Sequence, residues 1–237
     1  DGSVENMTVD GKYDIVRPSI QTISEAVNVV YLNCMNQTII DVPLLSNNNL
    51  YNPVLSANGG HKVVSSKSDP KKVSLLPIGG GKRMVVNVAS MINGRKINIG
   101  SVKFGIQRPP KPDIQVFVNK KPVITGAKVA RNATAQIRVV PDEDFARKWA
   151  QDAKYQIIGG PIEVMRGLGS RRAVSQVPSS GVKPKPYVSV PMSLARAQRG
   201  DVVYVAVKSI NRVNYANASF PEPFSKRELI YSFNIAN

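Results

Sequence analysis

The sequence predicts an all-β protein of two consecutive β-sandwich domains, residues 1–110 and 111–237, the second carrying one short helix. Three observations predict it. Short segments of alternating apolar and polar residues recur between clusters of Asn, Gly, Ser and Pro, the pattern of half-buried strands joined by turns. Arg108-Pro109-Pro110-Lys111-Pro112-Asp113 sets three prolines within four positions between two such regions, which forbids helix and withholds ladder donors. A length of 237 residues with 42% hydrophobic content exceeds the roughly 100 to 150 residues of an ordinary domain and excludes disorder of the whole chain.

In the first half the strand candidates are Val27 to Met35, Thr38 to Val42, Lys72 to Ile78, Arg83 to Ile92 and Arg95 to Gln107. Asn93-Gly94 between the last two marks a hairpin, because both turn positions need positive φ. In the returning strand Ile97 and Ile99 share one face, whereas Val102, Phe104 and Ile106 have the opposite parity. A bulge or sharp bend is therefore expected at Gly100-Ser101. The proline segment itself should be extended and semi-rigid.

In the second half Ile114, Val116 and Val118, and then Ala135, Ile137 and Val139, read as half-buried strands. Pro141 to Trp149 is the helix, with acids in its first turn and bases later. About three turns are expected, with Trp149 packed onto a sheet. Tyr155 to Met165 is strand-like but interrupted at Gly159-Gly160-Pro161, which calls for a corner or bulge. Val202 to Val207 is apolar on both parities, as in a central strand. Leu229, Tyr231, Phe233 and Ile235 share one face of a last strand that ties the C-terminal segment into a sheet. The architecture is immunoglobulin-like without the Cys…Trp…Cys spacing of immunoglobulins.

The motifs that carry chemistry elsewhere have structural explanations here. Gly79-Gly80-Gly81-Lys82 lacks the Gly and Ser/Thr of a phosphate loop, since Leu76 and Arg83 stand at those positions, and reads as a turn. Asp142-Glu143-Asp144 reads as helix N-terminal charge rather than a cation site. His61 beside Gly59-Gly60 reads as a solvated loop residue. The sequons at Asn6, Asn36, Asn132 and Asn217 are assigned no role. One Cys and one His exclude, within one copy, a Cys/His metal site, a disulfide framework and a redox pair. No cofactor, metal or catalytic residue is expected.

Lys plus Arg number 32 against 16 acids, a formal charge of +16, which favours nucleic acid, anionic lipid or an acidic protein face as partner. Both halves share it, with 13 bases and 7 acids up to residue 112 and 19 and 9 beyond. The segment from Arg171 and Arg172 through Lys183 and Lys185 to Arg196 and Arg199, with Arg212 following, is the candidate docking surface. A sequence-independent nucleic-acid-binding β module is the alternative this charge raises. Only Tyr187 stands near those cations as a stacking aromatic, which weakens it. A carbohydrate-binding or adhesin sandwich ranks last, for want of exposed aromatics. No run approaches the ~20 apolar residues of a membrane span, and the opening Asp1-Gly2-Ser3-Val4 reads as a processed or cut end.

Gly11-Lys12-Tyr13-Asp14-Ile15-Val16-Arg17-Pro18, then Asn28-Val29-Val30-Tyr31-Leu32-Asn33-Cys34-Met35-Asn36, resembles the opening of the penultimate domain of GldM/PorM proteins. Ile99 to Pro112 resembles that family's interdomain passage. Arg199 to Lys208 and Leu229 to Ile235 are similar to the ending of its last domain. Within the family the resemblance is closer to PorM. Two departures stand out: Asn36 to Pro43 lacks the family's following glycine, and Trp149, Tyr155 and aliphatics replace a Phe-rich stretch between Lys148 and Val164.

The resemblance implies a non-enzymatic periplasmic part of a type IX secretion machinery protein, which couples an inner-membrane proton-driven motor to the outer-membrane ring. It implies a homodimer that meets ring proteins of the PorK/PorN kind through these distal domains. A PorL/GldL-like motor partner would engage through a preceding part anchored by an N-terminal membrane helix. Neither nucleic acid nor a small-molecule substrate belongs to that picture.

Overall fold

A computed structural model describes residues 17–24, 28–181 and 184–236; Asn6, Gly11 to Val16, Val27 and Lys183 lie outside the described residues. In chain order the first sandwich contains β1 (Gln21–Ser24), β2 (Val29–Tyr31), β3 (Asn36–Asp41), the one-turn α1 (Pro43–Ser46), β4 (Pro53–Ala57), β5 (Lys62–Ser65), β6 (Lys72–Leu76), β7 (Arg83–Ile92) and β8 (Arg95–Gln107). They form two sheets, β1-β3-β6-β5 and β2-β8-β7-β4. Ile40, Val73 and Leu75 of one sheet face Met84, Val86, Val88 and Phe104 of the other, all essentially inaccessible to water.

The local signals hold in this half. Asn93 and Gly94 both have positive φ, 50° and 75°, and Ile92 pairs with Arg95 across them. Val88 pairs with Gly100 and Ala89 with Asn98, so Ile99 is the extra residue of a bulge that switches the face parity. The glycines at 79–81 join β6 to β7. His61, by contrast, is not a solvated loop residue. It is buried, its Nδ1 accepts the Ile78 N–H at 3.1 Å, and a Cβ on Gly59 or Gly81 would lie 3.6 Å from its ring. The imidazole thus ties one turn to another through the Ile78 N–H.

The second sandwich contains β9 (Asp113–Val118), β10 (Lys121–Val123), β11 (Ala127–Ala130), β12 (Thr134–Val140), α2 (Glu143–Lys148), β13 (Lys154–Met165), β14 (Arg172–Gln176), β15 (Tyr187–Pro191), β16 (Val202–Val213), β17 (Ser219–Pro221) and β18 (Ile230–Ala236). Its sheets are β10-β9-β12-β15 and β11-β18-β16-β13-β14, with β17 paired to the end of β16. Both sandwiches contain one parallel pair, β2 with β8 and β11 with β18; the other pairings are antiparallel. β16 is central, as its two-sided apolar run requires, and β18 carries Ala236 into register with Ala130.

Two expectations about this half change. α2 spans six residues rather than three turns, capped by Asp142, whose side chain accepts the Phe145 N–H. Trp149 packs on Tyr31, at the end of β2 in the other sandwich. The glycine pair 159–160 bulges a continuous β13 rather than turning a corner, with register shifts on either side of Gly159. The reason is close approach. The chain after β14 lies directly on β13, where a Cβ on Gly159 would stand 1.8 Å from the Val177 carbonyl oxygen and one on Gly160 2.9 Å from that of Ala206.

Gly159→Ala should therefore lower stability by about 3 kcal/mol, because the Val177–Pro178 backbone lying on it cannot yield. Gly80→Ala, with nothing within 4 Å of its Cβ, should leave the thermal midpoint unchanged. Equal midpoints for the two variants would contradict the packing at β13.

Candidate functional site

The end of the first sandwich that meets the second is a short loop after β2. Asn33 there takes φ 57°, which ends the strand well before Met35. Asn36 holds the loop: its Oδ1 accepts the Tyr31 N–H at 2.7 Å, and its amide donates to the carbonyls of Tyr31, Cys34 and Leu75. This asparagine opens a sequon, yet it is buried and its hydrogen bonds are internal. The loop presents Tyr31, Cys34 and the carbonyl oxygens of Leu32 and Asn33 to the neighbouring sandwich.

The second sandwich answers with α2, the turn after it and the end of β16. Tyr31 sets its ring edge-on between Phe145 and Trp149, with centroids 5.4 and 4.8 Å away. Such pairs add about 0.5–1.5 kcal/mol each beyond the area they bury. Cys34 is fully buried among these rings, and burial pushes its thiol pKa up to about 12, so it stays neutral.

Beside the rings lies a polar bridge. Arg212 is 3% exposed. Its guanidinium donates to the Leu32 carbonyl at 3.4 Å, to Cys34 Sγ at 3.4 Å and to the Asp152 carbonyl at 3.3 Å, and its Nε lies 3.4 Å from Glu222 Oε1. Asp152 spans the joint with both oxygens, accepting the N–H of Met35 in one sandwich and of Tyr215 in the other. Asn214 donates to the Asn33 carbonyl at 3.0 Å while its own oxygen holds the β16–β17 turn. Burial raises the pKa values of Asp152 and Glu222; the two N–H donors and Arg212 respectively work against it. On the linker, Lys111 pairs with Glu228 at 2.5 Å and lies over the Phe224 ring, so the proline segment is fastened as well as stiff.

Arg212 thus leaves the docking surface to which its place in the sequence assigned it. The missed signal was parity: Arg212 occupies the inward position that Ile210 begins, where an unpaired cation is not tolerated. Tyr31, Asp152, Asn214 and Glu222 carried no comparable local signal.

The other candidate cations divide. β12 and β16 run from the end of the second sandwich far from the first toward the joint. Arg171 on the β13–β14 turn, Arg172 at the start of β14, and Arg196 and Arg199 before β16 all stand exposed at the far end. Arg171 stacks over Tyr204 at 3.7 Å and pairs with Glu163 at 3.9 Å. Lys185 does not join them, since it precedes Pro186, which pairs with Val139 near the joint. The structure brings in Lys120, Lys121, Arg131 and Arg166, which proximity in sequence did not suggest. Only two acids of the second sandwich, Glu163 and Asp201, stand at this end, and both face arginines. Asp201 accepts both guanidinium bonds of Arg166 at 3.1 Å, which hold its carboxyl below the ordinary range. The far end is thus a nearly uncompensated basic pole.

No helix among the described residues is long and apolar enough to cross a membrane. Residues 19–107 match a family model described as the GldM third domain, and residues 110–223 match one described as the GldM C-terminal domain. No curated protein matches the chain. A solved structure of the Yersinia pseudotuberculosis adhesin InvE is similar at 11% identity, with a TM-score of 0.29; the alignment covers 92% of this chain and 59% of the length of that one.

Arg212→Leu should cost about 3–5 kcal/mol in urea unfolding, because it strands the buried Glu222, and the Arg212→Leu/Glu222→Leu pair should recover most of that loss. A double variant no better than the single would remove the ion pair from the joint. Glu228 has its pKa depressed from 4.5 to about 2, chiefly by Lys111. Its contribution is complete above pH 4.5 and lost as pH falls toward 2. Acid titration of Glu228→Gln should accordingly give a flatter stability curve across that window than the unaltered chain.

Proposed function

The chain belongs to the GldM family, components of the type IX secretion and gliding machinery, and from that premise we propose that it is the distal periplasmic part of a non-enzymatic coupling shaft. We place the division between its two domains at residues 110 and 111. In this reading the shaft is a homodimer of the PorM kind. An inner-membrane, proton-driven motor partner of the PorL/GldL kind engages the protein elsewhere, and ring proteins of the PorK/PorN kind at the outer membrane receive the displacement. Arg171, Arg172, Arg196 and Arg199 are its contact residues for an acidic face on that ring.

The observation that carries the reading is the joint. A lever between two membranes needs successive domains that do not rotate freely about their linker. Here a proline segment fastened through Lys111, an aromatic cluster shared by both sandwiches and a buried guanidinium reaching into the neighbouring loop all oppose such rotation. Close-packed interiors on either side resist deformation and pass strain onward.

The test loosens the joint without touching either core. Full-length protein carrying Tyr31→Ala and Trp149→Ala, returned to a deletion strain, should accumulate normally and fail in secretion. Spin labels on the two sandwiches should report a broadened distance distribution. Normal secretion despite a broadened distribution would exclude a rigid lever. Charge reversal at Arg171, Arg172, Arg196 and Arg199 should separately abolish co-purification with the ring proteins while leaving the distance distribution narrow.

A further inference from the structure

The basic pole has a property that contact with an acidic protein does not use. At the tip of the β13–β14 turn, Leu168 stands wholly in solvent between Gly167 and Gly169, with no neighbour over its side chain. The turn is nonetheless formed: Gly167 takes φ 55° and the Gly169 N–H bonds to the Arg166 carbonyl at 3.0 Å. Leu194, on the short helical turn after β15, adds a second exposed apolar side chain beside Arg196. That turn packs against β13 and β14, so both leucines belong to one corner of the pole.

The anchoring below the tip is firm. Arg166 is clamped by Asp201, and Arg171 is stacked on Tyr204. Arg172, Arg196 and Arg199 flank the tip with no ion pair among the described residues. Further cations come from the β9–β10 turn and from the segment after β11, so charge surrounds the whole end of the sandwich rather than lining a groove.

From this geometry we infer that the pole also seats directly on an anionic phospholipid surface, with Leu168 entering the interface and the surrounding arginines meeting headgroup phosphates. A protein partner would need a socket cut for one leucine, a residue under-represented among interface hot spots. A fluid anionic leaflet needs no such match: it accepts a protruding apolar side chain and a diffuse ring of cations, the pairing that defines interfacial binding. The inference goes beyond the coupling role, since it concerns what the outward end touches besides protein.

The test is co-sedimentation of the 237-residue chain with vesicles of phosphatidylglycerol in phosphatidylethanolamine, against vesicles of phosphatidylcholine alone. Retention is expected on the anionic vesicles only, and it should fall as salt rises. Leu168→Ser should weaken it about tenfold with the salt dependence unchanged. Arg172→Glu/Arg196→Glu should weaken it by about 25-fold or more and flatten the salt dependence. All the altered residues are exposed, so unchanged thermal midpoints certify the fold. Equal retention on both vesicle types, no retention on either, or a Leu168→Ser chain that binds as the unaltered one does would overturn the inference and leave an acidic protein as the partner of the pole. Because the assay uses the chain alone and leaves the joint intact, its failure does not bear on coupling, and a joint defect does not bear on it.

Discussion

The two sandwiches meet around one buried guanidinium. Arg212 sits on the last turn-ward stretch of the central strand of its own sheet and reaches a carbonyl and a thiol of the other sandwich. A buried cation demands hydrogen bonds and counter-charge on every side. That demand explains Glu222, the carbonyl of Asp152, and the loop geometry that Asn36 imposes on residues 31–36. Moving either sandwich relative to the other would strip partners from Arg212 and from Asp152 together. The aromatic cluster then adds shape to a contact whose polar groups already allow little freedom.

Charge is distributed with the same asymmetry as the joint. Seven of the nine acids after residue 112 lie toward the first sandwich, at α2, in Asp152, or along the linker and its neighbours. There they cap a helix, bridge the joint or neutralise Lys111 and Arg212. At the opposite end the two remaining acids are engaged by arginines, and the cations left over face outward. One end of the second sandwich is built to hold its neighbour, and the other is built to meet something anionic.

The elements that could be read directly from the chain are those whose cause is local. The Asn93-Gly94 hairpin follows from two positive φ values, the bulge before Gly100 from a switch of parity within one strand, and the helix start at Asp142 from acids in a first turn. Short edge strands such as β4, β5 and β14 escaped notice because their alternation is brief and their outer positions are polar or exposed. The length of α2 was overestimated because Trp149 leaves helical geometry to turn its ring toward Tyr31.

By itself the amino-acid order determined an all-β chain in two units with a stiff proline joint between them, since strand alternation, turn dihedrals and proline's fixed φ act over a few residues. Only the tertiary structure decided what the joint is made of and where the charge gathers. Arg212 meets Leu32 across 180 positions and Asp152 meets Met35 across 117. Lys120, Arg131, Arg166 and Arg196 come to one end because four separate connections end at the same face of the sandwich. Electrostatics and desolvation depend on distance in space, and no periodicity along the chain encodes it.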